Sequence, residues 1–311
     1  MHKFQNATRQ ILFGAKSLRP MLLLFGFIAL AGFVGFPIFV NAQEVAQKIE
    51  GEWNARYDSA KPNEIYFMFQ RRSGNNGFNM NSDNLPLTEL RGLATGAISA
   101  AKTDVSFNIV REAGTFACEG YFTNGKGTGF WTLTPSEKFV SAMRSRGYDN
   151  LTADDLLRAA LNNLTIAFIE DLKSAGYDGL TFNELMRANN HEINSAYIRA
   201  VKAMGFERQP LETLIRMHNH EITAEFVNEM KSAGFKNLTI ENLIRLQNHE
   251  ITASFINDLK AEGFSDISPE TAIRLKNHNI DRDFIRRAKA QGYGNASPEE
   301  LIRLSNRGIV K

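Results

Sequence analysis

The chain has 311 residues, 43% of them apolar and 23% charged, a balance that suits a globular protein of about two domains. Its formal charge is only +2, which leaves no basic surplus for a nucleic-acid surface. The single cysteine, Cys118, excludes an intramolecular disulfide.

Residues 1–42 differ from the rest. They carry Lys3, Arg9, Lys16 and Arg19 and no acid, then a continuous apolar run from Met21 to Val34, then Gly35, Pro37 and Val40-Asn41-Ala42. This reads as a signal peptide cut after Ala42. The other reading is an uncleaved anchor, since Met21 to Val40 is long enough to span a bilayer. Under either reading the remainder is expected to be exported, to the periplasm or beyond, by the positive-inside rule. Losing the four basic residues would take the net charge from +2 to −2.

From 43 to 135 the apolar residues recur with period two. Gly51, Trp53, Ala55 and Tyr57 share a face, as do Ile65, Phe67 and Phe69, then Val105, Phe107 and Ile109, then Phe116, Cys118 and Phe122. Turn-forming residues at Arg72–Gly77, Glu112–Gly114 and Asn124–Gly127 separate them. The pattern predicts five to seven strands in a small antiparallel sheet or partly open barrel, with a short helix within Thr88–Ala100. Gly51-Glu52-Trp53 resembles the Gly-x-Trp near the start of lipocalin-type barrels, although a buried core tryptophan accounts for it as well. Cys118 is read as a small buried side chain.

From 136 onward a 29-residue unit recurs six times without insertion. Glycine stands at 147, 176, 205, 234, 263 and 292, each followed by an aromatic residue. A fixed period of this length predicts an α-solenoid of helix-turn-helix units. Within each unit a first helix is capped by Ser136, Thr165, Asn194, Thr223, Thr252 or Asp281 and ends at the glycine. A second helix starts at Thr152, Thr181, Pro210, Thr239, Ser268 or Ser297 and ends, in copies two to five, at an Asn-His pair, which the first and last copies replace with Asn162-Asn163 and Asn306-Arg307. The expected fold class is therefore α+β, multidomain: residues 1–42 a leader or anchor, 43–135 an antiparallel β domain, and 136–311 a six-repeat solenoid.

His-Glu-Ile at 191, 220 and 249 lacks the second histidine that a zinc-binding HExxH helix needs, since the fifth positions are Ser195, Ala224 and Ala253. Successive histidines of one column, His191, His220, His249 and His278, are too far apart to share a metal. No cofactor or metal is expected and no catalytic constellation is present, so the chain is read as a non-enzyme. A second column, Arg187, Arg216, Arg245 and Arg274, sits late in its helices and suits the helix dipole. The same arginines and histidines are the candidate binding row.

Ala113-Gly114-Thr115-Phe116 with Gly120, followed by repeats reading Gly-Tyr/Phe, Leu-Thr/Ser, Leu-Ile-Arg-Leu and Asn-His, resembles an extracytoplasmic region appended to bacterial membrane metallopeptidases of the beta-lactam-sensor type. The peptidase part and its zinc motif are missing here, so the resemblance implies an accessory or sensing module without protease activity. The leading expectation is a module that binds protein or peptide of the cell envelope along one solenoid face, touching membrane only through an uncleaved leader. The alternative is a ligand sensor whose β domain holds a small molecule.

Overall fold

The period-two pattern produces strands, and the computed structural model, which describes residues 49–73 and 77–310, contains seven. They are β1 (Ile49–Tyr57), β2 (Glu64–Ser73), β3 (Gly77–Pro86), β4 (Leu90–Arg91), β5 (Thr103–Arg111), β6 (Gly114–Thr123) and β7 (Lys126–Pro135). All join one antiparallel sheet in the order β3-β2-β1-β7-β6-β5-β4. The two edge strands, β3 and β4, are linked by only the three residues of a 3₁₀ turn, Leu87–Glu89, so the sheet curls until its edges approach. A one-turn helix, α1 (Thr95–Ile98), falls in the stretch expected to hold one. Asn124 and Gly125, with φ of 48° and 82°, make the two-residue turn between β6 and β7.

The inner face of the sheet is filled by rings. Trp53 stacks on Phe67 with centroids 5.4 Å apart, and Phe107 and Phe122 close around it. Phe69, Phe116 and Trp131 form the other half of the cluster. Both indoles satisfy their N–H on main-chain oxygens, Trp53 on Glu119 (3.2 Å) and Trp131 on Glu52 (2.9 Å). Trp53 lies directly on the main chain because β6 and β7 carry glycine beneath it. A Cβ on Gly129 would stand 2.0 Å from the Glu119 carbonyl oxygen and 2.7 Å from the Trp53 ring nitrogen. Trp53 is thus a core residue, and the interior holds side chains where a lipocalin-type cup would hold a ligand.

Twelve helices follow the sheet as six pairs. They are α2 (Glu137–Arg144) with α3 (Ala153–Leu161), α4 (Ile166–Ser174) with α5 (Phe182–Asn190), and α6 (Ser195–Ala203) with α7 (Leu211–Asn219). Then come α8 (Ala224–Ser232) with α9 (Ile240–Asn248), α10 (Ala253–Ala261) with α11 (Pro269–Asn277), and α12 (Arg282–Ala290) with α13 (Pro298–Asn306). At eight or nine residues each is too short to persist alone in water, so its stability comes from stacking.

The local chemistry of each pair follows the residue columns. Every first helix has its expected cap, whose side-chain oxygen accepts the N–H three residues on. The second helices do the same, except at Pro210, which has no side chain able to accept. The six glycines have φ between 87° and 101°. The aromatic after each donates its N–H five residues back, as Phe235 does to Met230 (3.2 Å), which is a Schellman ending.

All described residues belong to the compact unit Gln47–Lys311. The change from strand to helix falls between Pro135 and Glu137, and one apolar cluster runs across it from Ile49 to Ile273. Among the described residues no helix is long and apolar enough to cross a membrane, and the Met21–Val40 run lies outside them.

Candidate functional site

The arginine column forms a ladder between copies. Arg187 pairs with Glu212, Arg216 with Glu241 (2.7 Å), Arg245 with Glu270 (2.5 Å) and Arg274 with Glu299 (3.0 Å). In each pair the cation sits late in one second helix and the carboxylate in the first turn of the next, so both complement a helix dipole. Asn183 takes the acidic position in the second copy, and Arg158 still reaches it through a hydrogen bond of 2.9 Å. At the first copy the arginine comes from the sheet, where Arg71 of β2 pairs with Asp154. The four Arg–Glu pairs are about half exposed and matched in charge, so the ladder sets register between copies.

The histidine column consists of helix C-caps. His191, His220, His249 and His278 each end a second helix. Nδ1 of His191, His249 and His278 shares a hydrogen bond with Oδ1 of Asn219 (2.9 Å), Asn277 (3.0 Å) and Asn306 (2.9 Å) in the following copy. The glutamate after the histidine has positive φ (53° at Glu192, 52° at Glu221 and Glu250), and the isoleucine after that is buried. His-Glu-Ile is therefore a helix-ending triplet: a cap, a left-handed residue and an apolar plug.

Lysines late in the first helices close the helix of the copy before. Lys231 Nζ donates to the Met204 carbonyl (3.1 Å) and Lys289 to that of Glu262 (3.0 Å), each at the C-terminal end of the preceding copy's helix. Glu262 also gathers Arg282, Arg286 and Lys289 around its carboxylate. Their hydrogen bonds, that of Lys289 foremost, bring its pKa down to about 2.

The sheet caps the array. Glu112, in the β5–β6 turn, accepts the N–H of Ile166 at the start of α4 (3.2 Å). One copy later the equivalent N–H, that of Ser195, goes to Asp171 (2.7 Å). The Ser195 hydroxyl, which also donates to Asp171 (2.5 Å), and this N–H together hold the Asp171 carboxyl below its usual range.

Where the curled sheet meets the array, one strand edge stays open. The Asn84 N–H is taken by the adjacent Asp83 carboxylate (2.7 Å), and Tyr57 N–H reaches the Gly125 carbonyl (2.8 Å). Followed through the register of β7, β1, β2 and β3, this places the main-chain groups of the odd-numbered β3 residues on β2 and those of Met80, Ser82 and Asn84 on the outer edge. Pro86 has the same parity and lacks an N–H, as suits an outward position.

Facing this edge are the C-terminal ends of α3 and α5. Two adjoining hollows separate them. One, of about 460 Å³, is lined by Phe69, Trp131, Leu157 and Leu161 together with Arg71, Met80, Asn81 and Asp154. The other, of about 340 Å³, runs from Asn81 to Pro86 against Asn162, Asn163, Asn189 and Asn190, and has Glu89 and Arg111 in its wall. Arg111 pairs with Glu89, whose Oε2 is buried and makes no well-aligned hydrogen bond. A larger hollow, of about 870 Å³, lies on the outer sheet face around the exposed Phe130. Its walls come mostly from β1, β7 and β6, whose main-chain groups are already paired on both sides, so its polar groups are side chains such as Glu52, Gln70 and Glu119 and it has no strand edge to offer. The β3 groove has one.

Comparison with protein-family models, curated proteins and solved structures yields no match to this chain. The likeness to beta-lactam-sensor-type appendages therefore stands on its sequence motifs alone.

The candidate arginines and histidines thus lie in two parallel rows, the four arginines and three of the four histidines held by the adjacent copy, and they converge on no common point. The groove residues come from positions 69–89 and 154–190, with Arg111 and Trp131, and carry no shared pattern. A single sequence signal pointed toward them: the asparagine-rich stretch around β3, which leaves that strand with few apolar side chains.

Proposed function

We propose that this chain is an exported interaction module that captures an extended peptide segment of an envelope protein by adding it as a strand to β3. The observation that carries the reading is the open edge of β3, whose outward Met80 and Ser82 border the two hollows between that strand and the ends of α3 and α5. Strand addition satisfies such groups with main-chain hydrogen bonds, and flanking pockets supply selectivity. The paired state of the arginine and glutamate ladder supports a scaffold role for the solenoid. The basic, apolar leader in residues 1–42 supports placement outside the cytoplasm.

The test is selection of linear peptides from a displayed library on the purified protein, followed by binding measurements with Ser82→Pro. That substitution removes one outward N–H and leaves the β2–β3 ladder intact. Selected peptides should bind at least about tenfold more weakly to the variant. N-methylation of the peptide at alternate amides should abolish binding for one parity only. Equal affinity for Ser82→Pro, and for peptides methylated at either parity, would overturn the proposal.

A further inference from the structure

We infer that the strand added to β3 is read as an apolar residue two positions from a lysine or arginine. This rests on strand addition at β3 and specifies its ligand. Rows of side chains in register cross the sheet. Trp53, Phe69 and Asn81 are in register on β1, β2 and β3, and so are Ala55, Phe67 and Asp83. A chain paired to β3 extends each row by one side chain on the same face, because side chains in register share a face of the pleat.

The side chain added beyond Asn81 continues the row of Trp53 and Phe69. It enters the hollow of about 460 Å³ walled by Phe69, Trp131, Leu157 and Leu161. An aliphatic or aromatic residue there removes its own apolar surface from water, against a wall in which Leu161 is half-buried and Phe69, Trp131 and Leu157 are buried, and leucine in place of alanine should gain about tenfold in affinity.

The side chain added two positions away lies beyond Asp83. Asp83 is exposed, and its carboxylate accepts the N–H of its own neighbour, Asn84. No cationic partner of Asp83 occurs among the described residues. The facing wall is made of the neutral Asn162, Asn163, Asn189 and Asn190, and the one cation there, Arg111, is engaged by Glu89. A lysine or arginine opposite Asp83 forms a cross-strand charge pair, whereas an acid meets a like charge. The resulting preference for lysine over glutamate should be roughly fivefold to tenfold. The spacing of two follows from the pleat and is the same for parallel and antiparallel addition.

The experiment uses a displayed library of linear nonamers, panned on the wild-type protein and on Asp83→Lys, Leu161→Gln and Ser82→Pro. The wild type should enrich an apolar residue two positions from a basic one. Asp83→Lys, at an exposed position, should exchange the basic preference for an acidic one, and Leu161→Gln should weaken the apolar preference alone. If peptides need the open edge, as judged by loss on Ser82→Pro, yet show no such pair or no exchange on Asp83→Lys, this inference fails and strand addition stands. If no peptide is retained, or Ser82→Pro retains the same peptides, both fail together.

Discussion

The left-handed glutamates give a quantitative prediction. Glu192, Glu221 and Glu250 end their helices with φ of 53°, 52° and 52°, where the first and fifth copies use Asn163 and Asn279 and the last uses Gly308. Their side chains are exposed, and no ion pair of theirs is found among the described residues. The left-handed conformation costs a non-glycine residue roughly 1–2 kcal/mol. Glycine avoids that cost but gives up roughly 0.5–1 kcal/mol more chain entropy on folding. The difference predicts that Glu192→Gly, Glu221→Gly and Glu250→Gly each stabilise the protein by about 0.5–1 kcal/mol. The sites lie in successive copies and share no partner, so the triple variant should gain roughly 1.5–3 kcal/mol. Urea unfolding followed by far-ultraviolet circular dichroism measures this as a rise in midpoint at unchanged slope. A fall in midpoint for the single variants would refute the reasoning, because it would mean that the glutamate side chain contributes more than its main chain costs.

Three further outcomes follow from the packing and the charges. Arg245→Met should cost no more than about 1 kcal/mol, because its pair with Glu270 is half exposed, while Ile251→Ala, at a buried plug, should cost about 2–5 kcal/mol; urea midpoints of the two compare them directly. Glu262 has a folded-state pKa lowered from 4.5 to about 2, so its contribution is fully present above about pH 5 and is lost as pH falls toward 2. Glu262→Gln should therefore be less stable than the wild type at neutral pH and converge with it in acid, as urea midpoints across that range would show. Burial raises the Cys118 thiol well above its ordinary value, so it should resist thiol reagents in the folded protein and react only on unfolding.

The solenoid was legible because its signal is redundant. Six glycines, eleven capping side chains out of twelve cap positions, and the arginine and histidine columns repeat the same instruction, each with a local structural cause. The sheet was less legible. In β7 the inward positions 127 and 129 are glycines, because the Trp53 ring occupies the space where their side chains would stand. The period-two pattern was therefore interrupted on a central strand. In β3 asparagine and serine replace the expected alternation, and the strand is held as an edge by β2. The start of the array illustrates the same limit: Arg71 and Glu112 take over repeat positions from the sheet, and neither belongs to the 29-residue period. The groove was invisible for a related reason. It exists only where the curl of the sheet brings β3 opposite the ends of α3 and α5, and nothing local in either segment encodes that meeting. The charged columns drew attention because they are regular, and their regularity is that of neighbours holding one another.

The most direct test of strand addition is residue-resolved amide hydrogen exchange, with and without a selected peptide. Met80 and Ser82 present their N–H groups to the open edge, whereas those of Asn81 and Asp83 already bond to β2. The account predicts that bound peptide slows exchange at Met80 and Ser82 and leaves Asn81 and Asp83 nearly unchanged. Tight binding with no added protection at Met80 and Ser82 would contradict it and place the ligand elsewhere on the molecule.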